Sequence, residues 1–462
     1  MFAFLKRLFS FGRIKEDISI EKKAIDYPHV DKEIDHSQGE KVIEYCQQDT
    51  NINHPQQSKP STEIHIGLDF GTSYTKACWY FFDKDQRYIV NWNPDWNFKD
   101  CCLLPSIVWL DDHNNLSMTK LPSSNQSAIK FFKMAIAKES IGGIILPRGI
   151  RTHIDPYYLY TSFYISRCLW WIEQAALNSE KKLSQSEIIW SGNIGIPISY
   201  LESEKRKVFD EIIAASCYML QKNISDVEPL ERLDALYQES LNAVAPQRFS
   251  SVPELYAEAL GLFSDYHTPE GYYTFFDVGG GTVDGAVMEF TRNEGSPQVN
   301  FLTSSVKLLG MEYISIYSNN QEKMQELKNE IITQTSELIM KAKNKVLPIW
   351  KREGTLPILM CGGGHSSKWH IKAIRSTYWN RQHYNCGIPE YDIQDLQVNH
   401  IEANGLPAAD KHRFLIAIGL SVPEGMGPLI VGFPKNNPES TVEIRKKEID
   451  YDDIQRELYG DY

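Results

Sequence analysis

What the chain lacks narrows its chemistry first. Its eight cysteines are scattered over 462 residues, with one adjacent pair, Cys101 and Cys102, and neither a C-x-x-C nor a Cys/His spacing suited to zinc. A reducing, cytoplasmic setting is therefore expected. No apolar run is long enough to span a bilayer, and the first residues lack the uninterrupted apolar stretch of a secretory signal. Excess positive charge is also missing. The net charge of −12 argues against general affinity for nucleic-acid phosphates, so no nucleic-acid partner is expected. With 42% hydrophobic and 12% aromatic residues the chain is not mainly disordered, and its length allows a large two-lobed core or two to three domains.

The two ends differ from the middle. Residues 1–15, "MFAFLKRLFSFGRIK", carry Lys6, Arg7, Arg13 and Lys15 without an acid, and Phe2, Leu5 and Phe9 share one helical face. Too short to cross a membrane, such a segment suits peripheral contact with a membrane surface, or packing on this chain or a partner. Residues 16–60 mix charges with Gln, Asn, His and Pro and read as a solvated linker. From 426 to 462 the chain is a charged extension that ends acidic.

The stretch "TEIHIGLDFGTSYTKACWY", residues 62–80, runs an apolar strand into Asp69, Gly71 and three hydroxyls, then back into apolar residues. A plain hairpin accounts for it: Gly71 turns the chain and Asp69 caps the turn. That is the default reading; the alternative is that the turn's N–H groups with Thr72, Ser73 and Tyr74 surround an anion while Asp69 holds a hydrated cation. The pattern recurs in "YYTFFDVGGGTVDGAVMEF", residues 272–290, with Asp277, Gly279, Gly280, Gly281, Thr282 and Asp284. A triple glycine exceeds what a hairpin needs and lets a ligand approach the backbone. Two such turns suggest a clamp closing on the same phosphates from opposite sides. A third stretch, "LPILMCGGGHSSKWHIKAI", leads a buried strand through Gly362, Gly363 and Gly364 to a helix, a ledge on which an adenosine can lie.

The ordered set "IGLDFGTSYTK", "FFDVGGGTVDGA" and "ILMCGGGHSS" resembles the phosphate-1, phosphate-2 and adenosine motifs of the actin, sugar-kinase and heat-shock ATPase superfamily, and within it the ATPase domain of the heat shock protein 70 (DnaK-type) family. Other segments agree: "VPELYAEALG" resembles the start of the interlobe helix, and "HRFLIAIGLS" the closing helix that returns to the first lobe. The resemblance covers roughly residues 62–425. It implies an α/β, actin-like ATPase fold over 61–425, with lobe I at 62–266 plus 411–425, lobe II at 267–410, and a nucleotide cleft between them. It further implies ATP/ADP and Mg2+ as ligands.

The resemblance also distributes roles. Asp69 and Asp277 would hold Mg2+ through water, with Asp277 orienting the attacking water, and Asp284 would serve as a further cation or water site. Thr72 to Tyr74 and Gly279 to Thr282 would hold phosphates. Lys130 in "SAIKFFKMAIA" would reach the γ-phosphate, with Lys133 as its rival, and Lys343 resembles one lysine of the base-contacting helix. Departures are informative too. The family's water-positioning glutamate aligns with Val252, with Glu254 two residues on as its substitute. The base-stacking arginine becomes Ser366, leaving His365 as the nearby ring. After the closing helix no peptide-binding domain is expected. The expected function is an ATP-binding, slowly hydrolysing switch acting through a partner protein. A nucleotide-binding pseudoenzyme, an actin-like filament former and a small-molecule kinase are the alternatives.

Overall fold

The computed structural model describes residues 61–92, 101–122, 125–136, 147, 149, 151–180, 183–184, 186–197, 204–243, 248–264, 268–293, 295–345, 356–377, 391–395 and 408–432. The basic start at 1–15, the linker to residue 60 and the extension beyond 432 lie outside the described residues.

Strand β1 (Ser61–Phe70) shows how pattern becomes structure. Its first half alternates exposed and buried side chains, whereas Ile66 to Phe70 are buried throughout, as in a strand entering the middle of a sheet. It pairs antiparallel with β2 (Tyr74–Phe81) and parallel with β8 (Glu187–Ile196). Strands β3 (Gln86–Ile89) and β10 (Phe249–Pro253) complete the order β10-β8-β1-β2-β3, and β4 (Leu104–Pro105) adds to β2. A small antiparallel sheet, β7-β5-β6-β9, is built from β5 (Ile107–Asp111), β6 (Asn115–Ser117), β7 (Gln126–Lys130) and β9 (Val227–Pro229).

The third sheet repeats the hairpin-in-a-sheet arrangement. Strands β11 (Gly271–Val278) and β12 (Val283–Asn293) form the antiparallel pair, extended by β13 (Ser296–Lys307), β14 (Leu356–Cys361), β15 (Tyr391–Asp395) and β16 (Leu429–Val431) in the order β15-β14-β11-β12-β13-β16. As in the first sheet, the strand before the glycine turn also has a parallel neighbour, here β14. The chain is thus mixed α/β with mixed sheets.

Helices cover the sheets. After the short α1 (Phe132–Ile136), helix α2 (Pro156–Ser179) starts cleanly: Asp155 accepts from the Tyr157 N–H at 2.8 Å, and Pro156 at the first position gives up no hydrogen bond. With α3 (Glu204–Gln221) and α4 (Leu230–Asn242) it buries a core around Ile64, Phe163 and Ile212. Helices α7 (Gln321–Lys345) and α8 (Lys368–Ser376) do the same for the third sheet, through Ile331, Leu338 and Ile374. Helix α6 (Met311–Tyr317) precedes α7. Among the described residues no helix is long and apolar enough to cross a membrane.

Helices α5 (Glu254–Phe263) and α9 (Leu415–Leu420) share a core with both large sheets: Leu255, Phe263, Leu415 and Ile418 cluster with Cys78, Phe275 and Met288. The two helices meet backbone to backbone. A Cβ on Gly419 would fall 1.7 Å from the Ala257 carbonyl oxygen. Because that oxygen is fixed in α5, Gly419→Ala must push the helices apart, and a loss of about 3 kcal/mol is expected in urea unfolding. A change under about 0.5 kcal/mol, the range of an ordinary surface substitution, would show that the helices separate freely.

Candidate functional site

The two acidic glycine turns come together at one cleft. In the second, the carbonyls of Gly279, Gly280 and Gly281 accept from the N–H groups of Met311, Glu312 and Gly310 at 3.0, 2.8 and 3.1 Å. A trans peptide unit directs its N–H opposite to its C=O. The N–H groups of Gly280, Gly281 and Thr282 therefore point away from α6 as a consecutive set, an arrangement suited to an anion. In the first turn the Gly71 and Ser73 carbonyls accept from Ser106, through Oγ at 2.8 Å and the N–H at 3.0 Å. The same rule turns the Thr72 and Tyr74 N–H groups away from Ser106.

Contact between the turns requires glycine. A Cβ on Gly280 would lie 2.1 Å from Ser73 Oγ, and one on Gly281 would meet Met134 Sδ at 2.7 Å and Thr72 Oγ1 at 3.1 Å. Ser73 Oγ donates to Glu312 Oε1 at 3.0 Å, joining the first turn to the helix behind the second. Gly362, with φ +75°, closes the floor: its Cβ would be 1.8 Å from Asp277 Oδ1.

Charges on the floor are arranged in pairs. Asp69 and Lys76 face each other across the β1–β2 ladder and form an ion pair. Lys133 on α1 pairs with Glu254 at the start of α5 and donates to the Phe70 carbonyl at 2.6 Å. Burial works against the Lys76 charge, yet Asp69 and then Asp277 hold its pKa above the ordinary lysine value. Asp277 has no such partner, and its Oδ1 is buried without a hydrogen bond. Burial pushes it up to about 6, against Lys76 and with Asp69 and Glu254 adding repulsion. Burial likewise raises Glu254, opposed by Lys133.

Asp69, Gly71, Thr72, Ser73 and Tyr74 line the cleft, as do Glu254, Asp277, Gly279, Gly280, Thr282, Gly362 and Gly363. Gly281 sits just behind, against Met134 and Thr72. Asp284 is buried beside Asp277 as its cross-strand partner, and burial with the charges of Glu254 and Asp277 pushes it well above the carboxylate range. Lys130 is exposed at the end of β7 and does not line the cleft, whereas Lys133, three residues further on in α1, does. Gly364 packs on Val278 and Met311. His365 is outside the lining, its ring against His412 at 3.7 Å and its Nδ1 3.1 Å from the Gly362 oxygen. Lys343 lies on α7, and its side chain falls outside the described residues. Val252 is half-buried on β10 against Ala257, Ile416 and Leu420.

Reading the sequence misses Lys76, Glu258 and Cys361. Lys76 was legible in principle, since a hairpin turning at residues 71–73 sets it opposite Asp69. Glu258 lies one turn after Glu254 on the same face of α5, and the Cys361 thiol reaches its Oε1 at 3.4 Å. Burial, with Asp277 and Asp284 nearby, pushes Glu258 well above the carboxylate range.

No protein-family model matches the chain, and no curated protein is significantly similar to it. Its own residues carry the functional reading. They fit a hydrated cation unevenly: Asp277 offers an unpartnered oxygen, whereas Asp69 is engaged by Lys76.

A raised folded-state pKa has a consequence for stability. Asp277 binds its proton more tightly folded than unfolded, so its contribution is present in full below the unfolded value of 3.8 and is lost as pH rises through about 6. Asp277→Asn is expected to be more stable than wild type at pH 7.5 by about 3 kcal/mol, the difference shrinking towards pH 4. Denaturant unfolding of both proteins across that range measures it, and a difference that does not vary with pH contradicts the assignment.

Proposed function

We propose that the chain is an adenine-nucleotide-binding protein with an actin-like, heat shock protein 70-type ATPase fold, in which the first and third sheets are the centres of two lobes around the nucleotide. One observation carries the reading: two Asp-glycine turns at the ends of sheet hairpins present their amides at one cleft, with two lysines on its floor. Phosphates would lie against the Thr72 and Tyr74 amides and those of Gly280 to Thr282, and the nucleoside against Gly362 and Gly363. Lys133 takes the γ-phosphate role that the resemblance assigns to Lys130. When bound, Mg2+ would neutralise phosphate charge and would be held through water by Asp277.

Slow hydrolysis follows from the pairing of the floor. Asp277, with one oxygen free of hydrogen bonds and a pKa raised by burial to about 6, is suited to hold and deprotonate a water. Glu254 is the carboxylate that stands in for the one missing at Val252, but its tie to Lys133 limits its freedom to position that water. The protein then acts as a switch, its lobe angle set by the bound nucleotide and sensed by a partner protein. The same two ion pairs favour a second reading, a nucleotide-binding scaffold without turnover, because both Asp69 and Glu254 are already neutralised.

Fluorescent-nucleotide binding and single-turnover hydrolysis in Mg2+ buffer test the proposal. ATP and ADP are expected to bind, and Asp277→Ala to slow turnover by about 100-fold or more while retaining binding. Glu254→Gln should slow turnover less, by about 10-fold. Binding without any turnover selects the scaffold, and no binding of either nucleotide refutes the clamp.

A further inference from the structure

Three side chains stand abreast on one face of the third sheet. Asp277 on β11 is the register partner of Asp284 on β12 and of Cys361 on β14, and partnered residues on neighbouring strands project from the same face. Helix α5 covers that face with Glu254 and Glu258, one turn apart. Two carboxylates and a thiol thus look towards two more carboxylates, all buried.

Only part of this patch is compensated. Glu254 has Lys133, whereas Glu258 Oε2, Asp277 Oδ1 and Asp284 Oδ1 are buried oxygens without a hydrogen-bond partner. Glu258 and Cys361 are each 1% exposed and Asp277 is 9% exposed. Leaving such groups unsatisfied is costly, and apolar side chains of the same volume would pack the space without that penalty. Ligand atoms of Glu258, Asp277 and Cys361 already lie within 4.8 Å of one another, and Asp277 opens the site to the cleft.

We propose that Glu258, Asp277 and Cys361 bind a divalent transition-metal cation, with Asp284 at the edge of the site. One sulfur with two carboxylates suits zinc or a neighbouring first-row ion, whereas Mg2+ takes oxygen ligands and keeps its water. As the metal–sulfur bond forms, the Cys361 thiol gives up its proton, and Glu258 gives up its own to become a carboxylate ligand. Both protons leave to solvent. This site uses none of the phosphate contacts and does not depend on the nucleotide reading, but it shares Asp277 with the proposed Mg2+ position, so a metal ligated here takes that carboxylate out of the other role.

Cobalt(II) titrated into the reduced, metal-free full chain is the test. One equivalent is expected to bind, with a thiolate-to-cobalt charge-transfer band and proton release, to be displaced by zinc and to be unaffected by excess Mg2+. Cys361→Ser should abolish the band, and Glu258→Gln should weaken binding by about 10-fold or more. No saturable band in the wild type, or a band that survives in Cys361→Ser, overturns the proposal. Should either variant fail to fold, X-ray absorption of the zinc-loaded wild type decides instead: one sulfur at about 2.3 Å among oxygens supports the site, and its absence refutes it.

Discussion

Three hydrogen bonds behind a glycine turn determine what the cleft presents. Because the carbonyls of residues 279–281 are held from the rear by the backbone of residues 310–312, their peptide planes cannot rotate and the following amides keep one orientation. A side chain on Gly280 would displace Ser73, and one on Gly281 would displace Met134 and Thr72, so the two turns approach through these glycines. The anion affinity proposed for this turn rests on main-chain geometry rather than on side chains. The resulting field of oriented dipoles is fixed before any ligand arrives, which is the condition under which dipoles stabilise charge most effectively.

Against that favourable field stand the acids. Buried carboxylates without partners oppose folding, and the chain tolerates them by two devices: two lysines that each hold one acid, and proton uptake by the remainder. A buried ion pair adds little net stability, but removing one member strands the other. The floor of the cleft is therefore a coupled group, and altering one charge shifts the protonation of its neighbours. Such an arrangement sacrifices stability at one spot while α5, α9 and the two large sheets supply it elsewhere.

Much of this was legible in the sequence. The strand–Asp–Gly–strand pattern is local, so both hairpins and the strand before Gly362 emerge where the residues predict them, and the mixed α/β class follows from strands alternating with helical stretches. Less legible was anything decided by tertiary register. Lys130 and Lys133 sit in one short segment, and only the end of β7 and the turn into α1 reveal which one faces inward. Nothing local marks Glu258 or Cys361 until β14 is set beside β11 and α5 laid across them. His365 has the right neighbourhood for a ring against a base, but its partner is His412, contributed by a distant segment. The actin-like lobe arrangement and the nucleotide remain proposals resting on three motifs and one cleft.

Gly67 in β1 faces the α9 backbone, where a Cβ would lie 2.2 Å from the Ala417 oxygen. These partners are separated by about 350 residues, so during synthesis β1 waits for α9. At the usual pace of translation that wait is roughly 20 to 70 seconds. Throughout it Ile64, Ile66 and Leu68 can pair with their own hairpin but lack the helix that covers Gly67. The nascent chain thus carries an unfinished sheet for most of its time on the ribosome, and its need for protection there is set by topology.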